Sequence, residues 1–207
     1  MSIKAVVFDY GGVICFPPPG ETCAEMERLT GLSFEALSGL HRKYRSEYDR
    51  GIYDTKNYFK FILSTAGITP DDSTLETIAQ TETGGYKHIN GETVRLMRDI
   101  KAAGFMSGIL SNMPHDFLAW ARKNIPVFNE ANPAVFSCEY RLIKPEAAIY
   151  EKLREQTGCR FEEIVFFDDI KDNIAAANDL GIHGFIWEGP QAARKQLNEI
   201  ELLSKLG

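Results

Sequence analysis

The run Ala5-Val6-Val7-Phe8-Asp9-Tyr10-Gly11-Gly12-Val13-Ile14 constrains this chain more than any other stretch. An unbroken apolar segment of strand length belongs inside a parallel sheet, covered on both faces. It runs into a carboxylate, Asp9, and then into two glycines, where the backbone can turn sharply and pass close to a ligand. In open α/β sheets ligands bind beyond the carboxyl ends of the strands, which is where this pattern puts Asp9. A solvated Asp that only opens a turn fits the same residues, so the later strand ends must decide between the two.

After Ile14, the segment Phe16-Pro17-Pro18-Pro19-Gly20 can be neither helix nor central strand, and it reads as a linker out of the sheet. Helical patterns follow over 22–30, 33–48, 55–66 and 71–83, with Gly31 and Gly67 as stops and Asp72, Ser73 and Thr74 as cap residues. Tyr58, Phe59, Ile62 and Leu63 recur at helical spacing, as a core face does. Gly84-Gly85 reads as a second hinge. The expected organisation has two parts: an α/β core from residues 1–16 and 89–207, and a small all-helical cap subdomain over 17–88.

Beyond residue 90 strand and helix alternate. Helices are expected over 92–103, 114–123, 146–157, 172–180 and 191–206, and strands over 105–110, 134–138, 164–167 and 183–187. Such alternation makes βαβ crossovers and a doubly wound parallel sheet. The 207 residues, 44% hydrophobic and 25% charged, suffice for a sizeable core in an ordinary globular protein. A net charge of −6 with no Lys/Arg cluster argues against nucleic acid as a partner. No apolar run is long enough to span a bilayer. The early core strand leaves no room for a signal peptide. Cys15, Cys23, Cys138 and Cys159 lack C-x-x-C spacing, so neither a zinc site nor a disulfide framework is indicated. They read as reduced thiols of a cytoplasmic protein.

Three further strand ends carry polar groups. Leu110-Ser111-Asn112-Met113-Pro114 meets a helix start, where Ser111 and Asn112 serve either as a helix cap or as part of an oxyanion or phosphate site. Lys144 stands before another helix, against the sign of its dipole, as a residue serving an anion would. Phe167-Asp168-Asp169 sets two carboxylates side by side after a buried strand, with Asp172 and Asn173 close behind. Adjacent carboxylates repel unless a cation neutralises them, and hard oxygen ligands suit Mg²⁺. A capped helix with an acidic first turn needs only Asp172.

Four segments in this order resemble the four motifs of the haloacid dehalogenase superfamily: Phe8-Asp9-x-Gly11-Gly12-Val13, Leu110-Ser111-Asn112, Lys144-Pro145, and Phe167-Asp168-Asp169-x-x-Asp172-Asn173-x-x-x-Ala177-x-x-x-Gly181. The helical insert after the first is similar to the cap of the phosphatase-like subgroup, and Asp49-Arg50-Gly51-Ile52 with Phe59 is similar to a recurring cap segment. The resemblance implies a Rossmann-like core and a phosphoric monoester hydrolase acting on a small phosphorylated metabolite such as a sugar phosphate. It implies Asp9 as nucleophile, Ser111, Asn112 and Lys144 on the phosphate, Lys144 also in catalysis, and Mg²⁺ held by Asp9, Asp168, Asp169 and the Gly11 carbonyl. Arg45, Tyr48 and Arg50 in the cap are candidates to reach the substrate.

One departure bears on the chemistry. The family's phosphatases usually carry a second Asp two positions after the nucleophile, as general acid and base, and here that position is Gly11. A subset of phosphatase-like members shares this pattern. General acid–base help contributes roughly 10²–10⁴-fold, so its loss slows poor leaving groups without abolishing the reaction. The alternatives are a weakly catalytic phospholigand-binding or interaction protein, and a dehalogenase in which Asp9 attacks carbon without a metal. A phosphomutase, which needs repeated proton transfer, is disfavoured by Gly11.

Overall fold

The computed structural model describes residues 2–200. The expected extension of the closing helix over 201–206 lies outside them. Strands β1 (Ala5–Phe8), β2 (Met106–Ser111), β3 (Ala134–Phe136), β4 (Ile164–Asp168) and β5 (His183–Ile186) form one sheet, ordered β3-β2-β1-β4-β5 and parallel throughout. The most apolar segment takes the centre. Ala5 pairs with Met106 on one side and Ile164 on the other, and all four β1 residues are fully buried. The α/β class and the doubly wound sheet are as the sequence implies.

Four helices leave the sheet after β1: α1 (Gly20–Thr30), α2 (Phe34–Asp49), α3 (Thr55–Thr65) and α4 (Asp72–Gly85). Their starts are set by local chemistry. Ser33, Asp54 and Asp71 each accept a hydrogen bond from the backbone three residues on, at 3.2, 2.7 and 2.7 Å. The chain returns through α5 (Gly91–Ala102), capped by Asn90. The remaining helices are α6 (His115–Asn124), α7 (Val127–Glu130), α8 (Ser137–Tyr140), α9 (Ala147–Thr157), α10 (Lys171–Asp179) and α11 (Pro190–Glu199).

Alternation along β1 divides the core. Val6 and Phe8 join a cluster with Leu96 and Ile100 of α5, Leu118 of α6 and Leu197 of α11. Ala5 and Val7 face the other way, toward Ile149 and Leu153 of α9 and Ile174 and Ala177 of α10. Helices α1–α4 enclose a third cluster of their own, with Met26, Leu37, Tyr58, Phe59, Ile62, Leu63, Leu75 and Ile78.

The departures from expectation are local. The single-turn helices α7 and α8 and a 3-10 turn at Phe161–Glu163 are too short to leave a periodic signal. Strand β3 stops at Phe136, because Ser137 already starts α8. Gly84 and Gly85 end α4, and Gly85 is buried where a Cβ would stand 3.2 Å from Pro18 Cβ and 3.1 Å from Thr22 Cγ2. The passages out of and back into the sheet lie side by side, joined by the amides of Phe16 and Asn90 to the carbonyls of His88 and Ile14, both at 2.8 Å. Among the described residues no helix is long and apolar enough to cross a membrane. The four cysteines are free thiols.

Because Phe166 is fully buried in the centre of β4 and touches the Tyr150 ring, truncation should leave a cavity the sheet cannot close. Phe166→Ala is expected to lower stability by about 3–5 kcal/mol, read as a fall in the urea midpoint. Ile52→Ser, at a residue 46% exposed, should leave that midpoint nearly unmoved.

Candidate active site

The carboxyl ends of β1, β2 and β4 bring Asp9, Ser111 and Asp168 to one edge of the sheet. The Asp9 amide extends the ladder to the Phe167 carbonyl at 2.9 Å, which holds Asp9 in strand geometry just past the last β1 residue. Its Oδ1 accepts the Tyr10 amide at 2.7 Å. Lys144 enters from the loop before α9 and is 4% exposed. Its Nζ lies 2.8 Å from Asp9 Oδ1 and 2.6 Å from Asp168 Oδ2, so one ammonium bridges two buried carboxylates.

Each group in this bridge is held by others. The Asn112 amide clamps the Lys144 peptide from both ends: its Nδ2 donates to the Lys144 carbonyl at 3.0 Å and its Oδ1 accepts the Lys144 amide at 2.9 Å. Helix α6 begins without a side-chain cap, so neither Ser111 nor Asn112 serves that role. Ser111 is buried at the end of β2, and its hydroxyl favours the ionised form of Asp9. Asp168 accepts from the Ile170 amide at 2.8 Å and from Asn173 Nδ2 at 3.1 and 3.0 Å, so both its oxygens are engaged. Asn173, on the first turn of α10, is thereby a part of the site.

The electrostatics follow from enclosure. Burial pushes Asp9 up, Lys144 opposes it and Asp168 adds to it, leaving the carboxyl at about 6. Burial alone would pull Lys144 down, but Asp9 and Asp168 outweigh it and keep the ammonium charged. Asp169 is raised by partial burial and by Asp168, with relief from Lys144 and Arg45.

Oxygens of Asp9, Asp168 and Asp169 all lie within 4.8 Å of one another. Against these three carboxylates stands the single Lys144 ammonium, which leaves two negative charges at the cluster. Gly12, at φ 73°, lets Asp169 in: a Cβ there would stand 2.3 Å from Asp169 Oδ2. Asp169 is exposed, and no side chain donates to it among the described residues. A hard divalent cation suits this donor set.

The cluster floors a cavity of about 700 Å³. Asn112, Met113, Pro114 and Phe117 line it from the core, and Arg42, Arg45, Tyr48, Asp49, Glu82 and Tyr86 from the helical side. Arg45 and Tyr48 are thus beside the site, as expected of them. Arg50 is elsewhere: it binds the Arg141 carbonyl at 2.7 Å and pairs with Glu146. Glu82 and Phe117 carried no sequence signal, since each comes to the cavity from a separate helix by packing alone, and Asp49 stood out only within the cap-like segment, with no role of its own.

A family model of haloacid dehalogenase-like hydrolases matches residues 3–181, spanning every strand end just described but that of β5. The chain belongs to that family. This hydrolase is 24% identical over 195 residues to an (S)-2-haloacid dehalogenase of Pseudomonas putida, across 87% of its own length and 82% of the relative's. Two solved structures are similar in fold. A haloacid dehalogenase family enzyme of Bacteroides thetaiotaomicron, in complex with magnesium and inorganic phosphate, superposes with TM-score 0.70 at 21% identity over 89% of this chain and 94% of its own. An L-2-haloacid dehalogenase of Xanthobacter autotrophicus with chloropropionic acid covalently bound gives TM-score 0.69 at 22% identity over 95% and 83%.

Removing the ammonium would strand two buried carboxylates against each other. Lys144→Met is expected to cost about 3–5 kcal/mol at pH 8, measured as a shift of the urea midpoint. Without the lysine both carboxyls titrate higher when folded than unfolded, so the variant regains stability once they are protonated. The deficit relative to wild type should therefore shrink as pH falls from 8 toward about 6, the value Asp9 has with Lys144 in place, since over that range the variant's Asp9 takes up a proton that the wild type's does not.

Proposed function

We propose that this hydrolase is a phosphatase for a small phosphorylated metabolite, dependent on Mg²⁺ and working through an aspartyl-phosphate on Asp9. The observation that carries the proposal is the convergence of Asp9, the Lys144 ammonium, Ser111 and Asp169 at the floor of one cavity, with Asp168 buried beneath them. The likeness to an enzyme solved with magnesium and phosphate supports it.

Asp9 is buried at the floor of the cavity, and its oxygen attacks phosphorus as the ester bond breaks. Lys144 orients Asp9 and meets the charge that develops on the phosphoryl oxygens, with the Ser111 hydroxyl as a second donor. Asn112 and Asn173 keep Lys144 and Asp168 in register. Mg²⁺ held by Asp9, Asp169 and the Gly11 carbonyl, with Asp168 behind them, would neutralise the anion that the carboxylates otherwise repel. Residues 17–88 act as the cap: with its wall of Tyr48, Tyr86 and Arg45, this helical unit covers the leaving group and keeps water from it.

A second reading is favoured by the Pseudomonas putida relative: displacement of halide from a 2-haloacid, with Asp9 attacking carbon. One set of assays separates the two. Phosphate release from an aryl phosphate and from a primary alkyl phosphate should require Mg²⁺ and stop with a chelator. Asp9→Asn should reduce both to background, because an amide is a far poorer nucleophile. Chloride release from (S)-2-chloropropionate, unaffected by chelator and without phosphatase activity, would establish the dehalogenase instead.

A further inference from the structure

Gly11 leaves the nucleophile's own loop without a proton donor, and the cavity offers one from the opposite wall. Asp49, the last residue of α2, is 4% exposed and lines the cavity that Asp9 floors. Its Oδ2 accepts Arg45 Nε at 2.8 Å. Its Oδ1 is buried and has no hydrogen-bond partner among the described residues. An acceptor enclosed in this way costs stability unless something else meets it or it carries a proton.

The position of Asp49 is fixed from the core. Ser137 Oγ donates to the Asp49 carbonyl and accepts the Met113 amide at 2.9 Å, two residues beyond Ser111. Nearby, the Thr55 amide donates to Asp116 Oδ2 at 2.9 Å. Gly51 lies so close to the core that a Cβ would stand 2.5 Å from His115 Cδ2. The end of α2 is therefore pinned over the strand ends.

We infer, building on the phosphatase proposed above, that Asp49 is the general acid and base of the reaction, acting from the cap in place of the residue missing at position 11. In the first step Asp9 forms its bond to phosphorus, the bond from phosphorus to the leaving oxygen breaks, and the Asp49 proton goes to that oxygen. In the second step Asp49, now ionised, takes a proton from the water that attacks phosphorus. The bond to Asp9 breaks, inorganic phosphate leaves, and both aspartates return to their starting states.

The surroundings suit both halves of that cycle. Burial raises the Asp49 carboxyl, and Arg45 and Lys144 pull it back, so neither form is out of reach. Glu82, the other carboxyl on the cap wall, is raised to about 7 by its burial and lies in the field of Arg45, Asp49 and Asp116. Tyr48 and Tyr58 stack on each other beside the pair, at 4.2 Å between ring centres. Of the two carboxyls, Asp49 is the one at the pinned end of α2 and the one on which Lys144 acts.

The test compares leaving groups. Wild type, Asp49→Asn, Glu82→Gln, Gly11→Asp and the Asp49→Asn/Gly11→Asp double variant are assayed with Mg²⁺ on p-nitrophenyl phosphate and on a primary alkyl phosphate. Asp49→Asn should lower kcat on the alkyl ester by about 10²-fold or more, while the aryl ester, whose leaving group needs little protonation, loses at most about tenfold. Retained aryl turnover also reports that the variant is folded. Gly11 has open space around its Cβ position and no positive φ, so Gly11→Asp can be built without strain. In the double variant it should restore alkyl turnover. Equal loss on both esters, no loss on either, or a leaving-group-selective loss confined to Glu82→Gln would overturn the assignment. Should wild type release phosphate from neither ester, the phosphatase proposal falls and this one with it.

Discussion

A single ammonium group buried between two carboxylates holds the site together. Lys144 Nζ reaches Asp9 at 2.8 Å and Asp168 at 2.6 Å where all three are almost wholly enclosed. Enclosed ions cost several kcal/mol each in lost hydration, and an interior repays this only when the geometry is good and the remaining polar atoms are satisfied. Here they are. Asn112 fixes the lysine's peptide, while Ile170 and Asn173 fill the oxygens of Asp168. The bridge also ties the central strand to its neighbour β4 and to the loop before α9, beyond the reach of the sheet's own hydrogen bonds.

That arrangement separates two kinds of carboxylate within one cluster. Asp168 is fully buried, and four contacts engage both its oxygens. Asp169 is exposed and without a side-chain donor, and it reaches the first loop only because Gly12 has no Cβ. Asp9 stands between these conditions, bound to Lys144 yet open to the cavity. Identical side chains thus stand in three different environments by the company each keeps.

The helical insert stands in a comparable relation to the core. It has its own apolar interior, separate from the two clusters that flank the sheet. Its polar contacts with the core gather near the end of α2, through Ser137, Asp116, Glu146 and the Arg141 carbonyl, while Tyr86 packs against Phe117 at the other end. Hydrogen bonds fix angle and distance more sharply than apolar contact does. A seam of this kind sets the cap wall above the strand ends while leaving a large cavity between the two parts.

The sequence by itself determined the strands, the parallel sheet and the four polar positions at the strand ends. Each depends on a pattern within a few residues: an apolar run, a carboxylate at its end, glycines after it, alternation with helices. It could not say that Gly85 packs rather than bends, since Pro18 and Thr22 press on it from far along the chain. Nor could it say that the Asn112 amide holds Lys144, or that Arg50 turns away while Asp49 lines the cavity. These pairings join residues 32 to 96 positions apart, and no local period records such a separation. Only tertiary packing brings the end of α2 over the end of β1, and that juxtaposition decides which carboxyls share the cavity with Asp9.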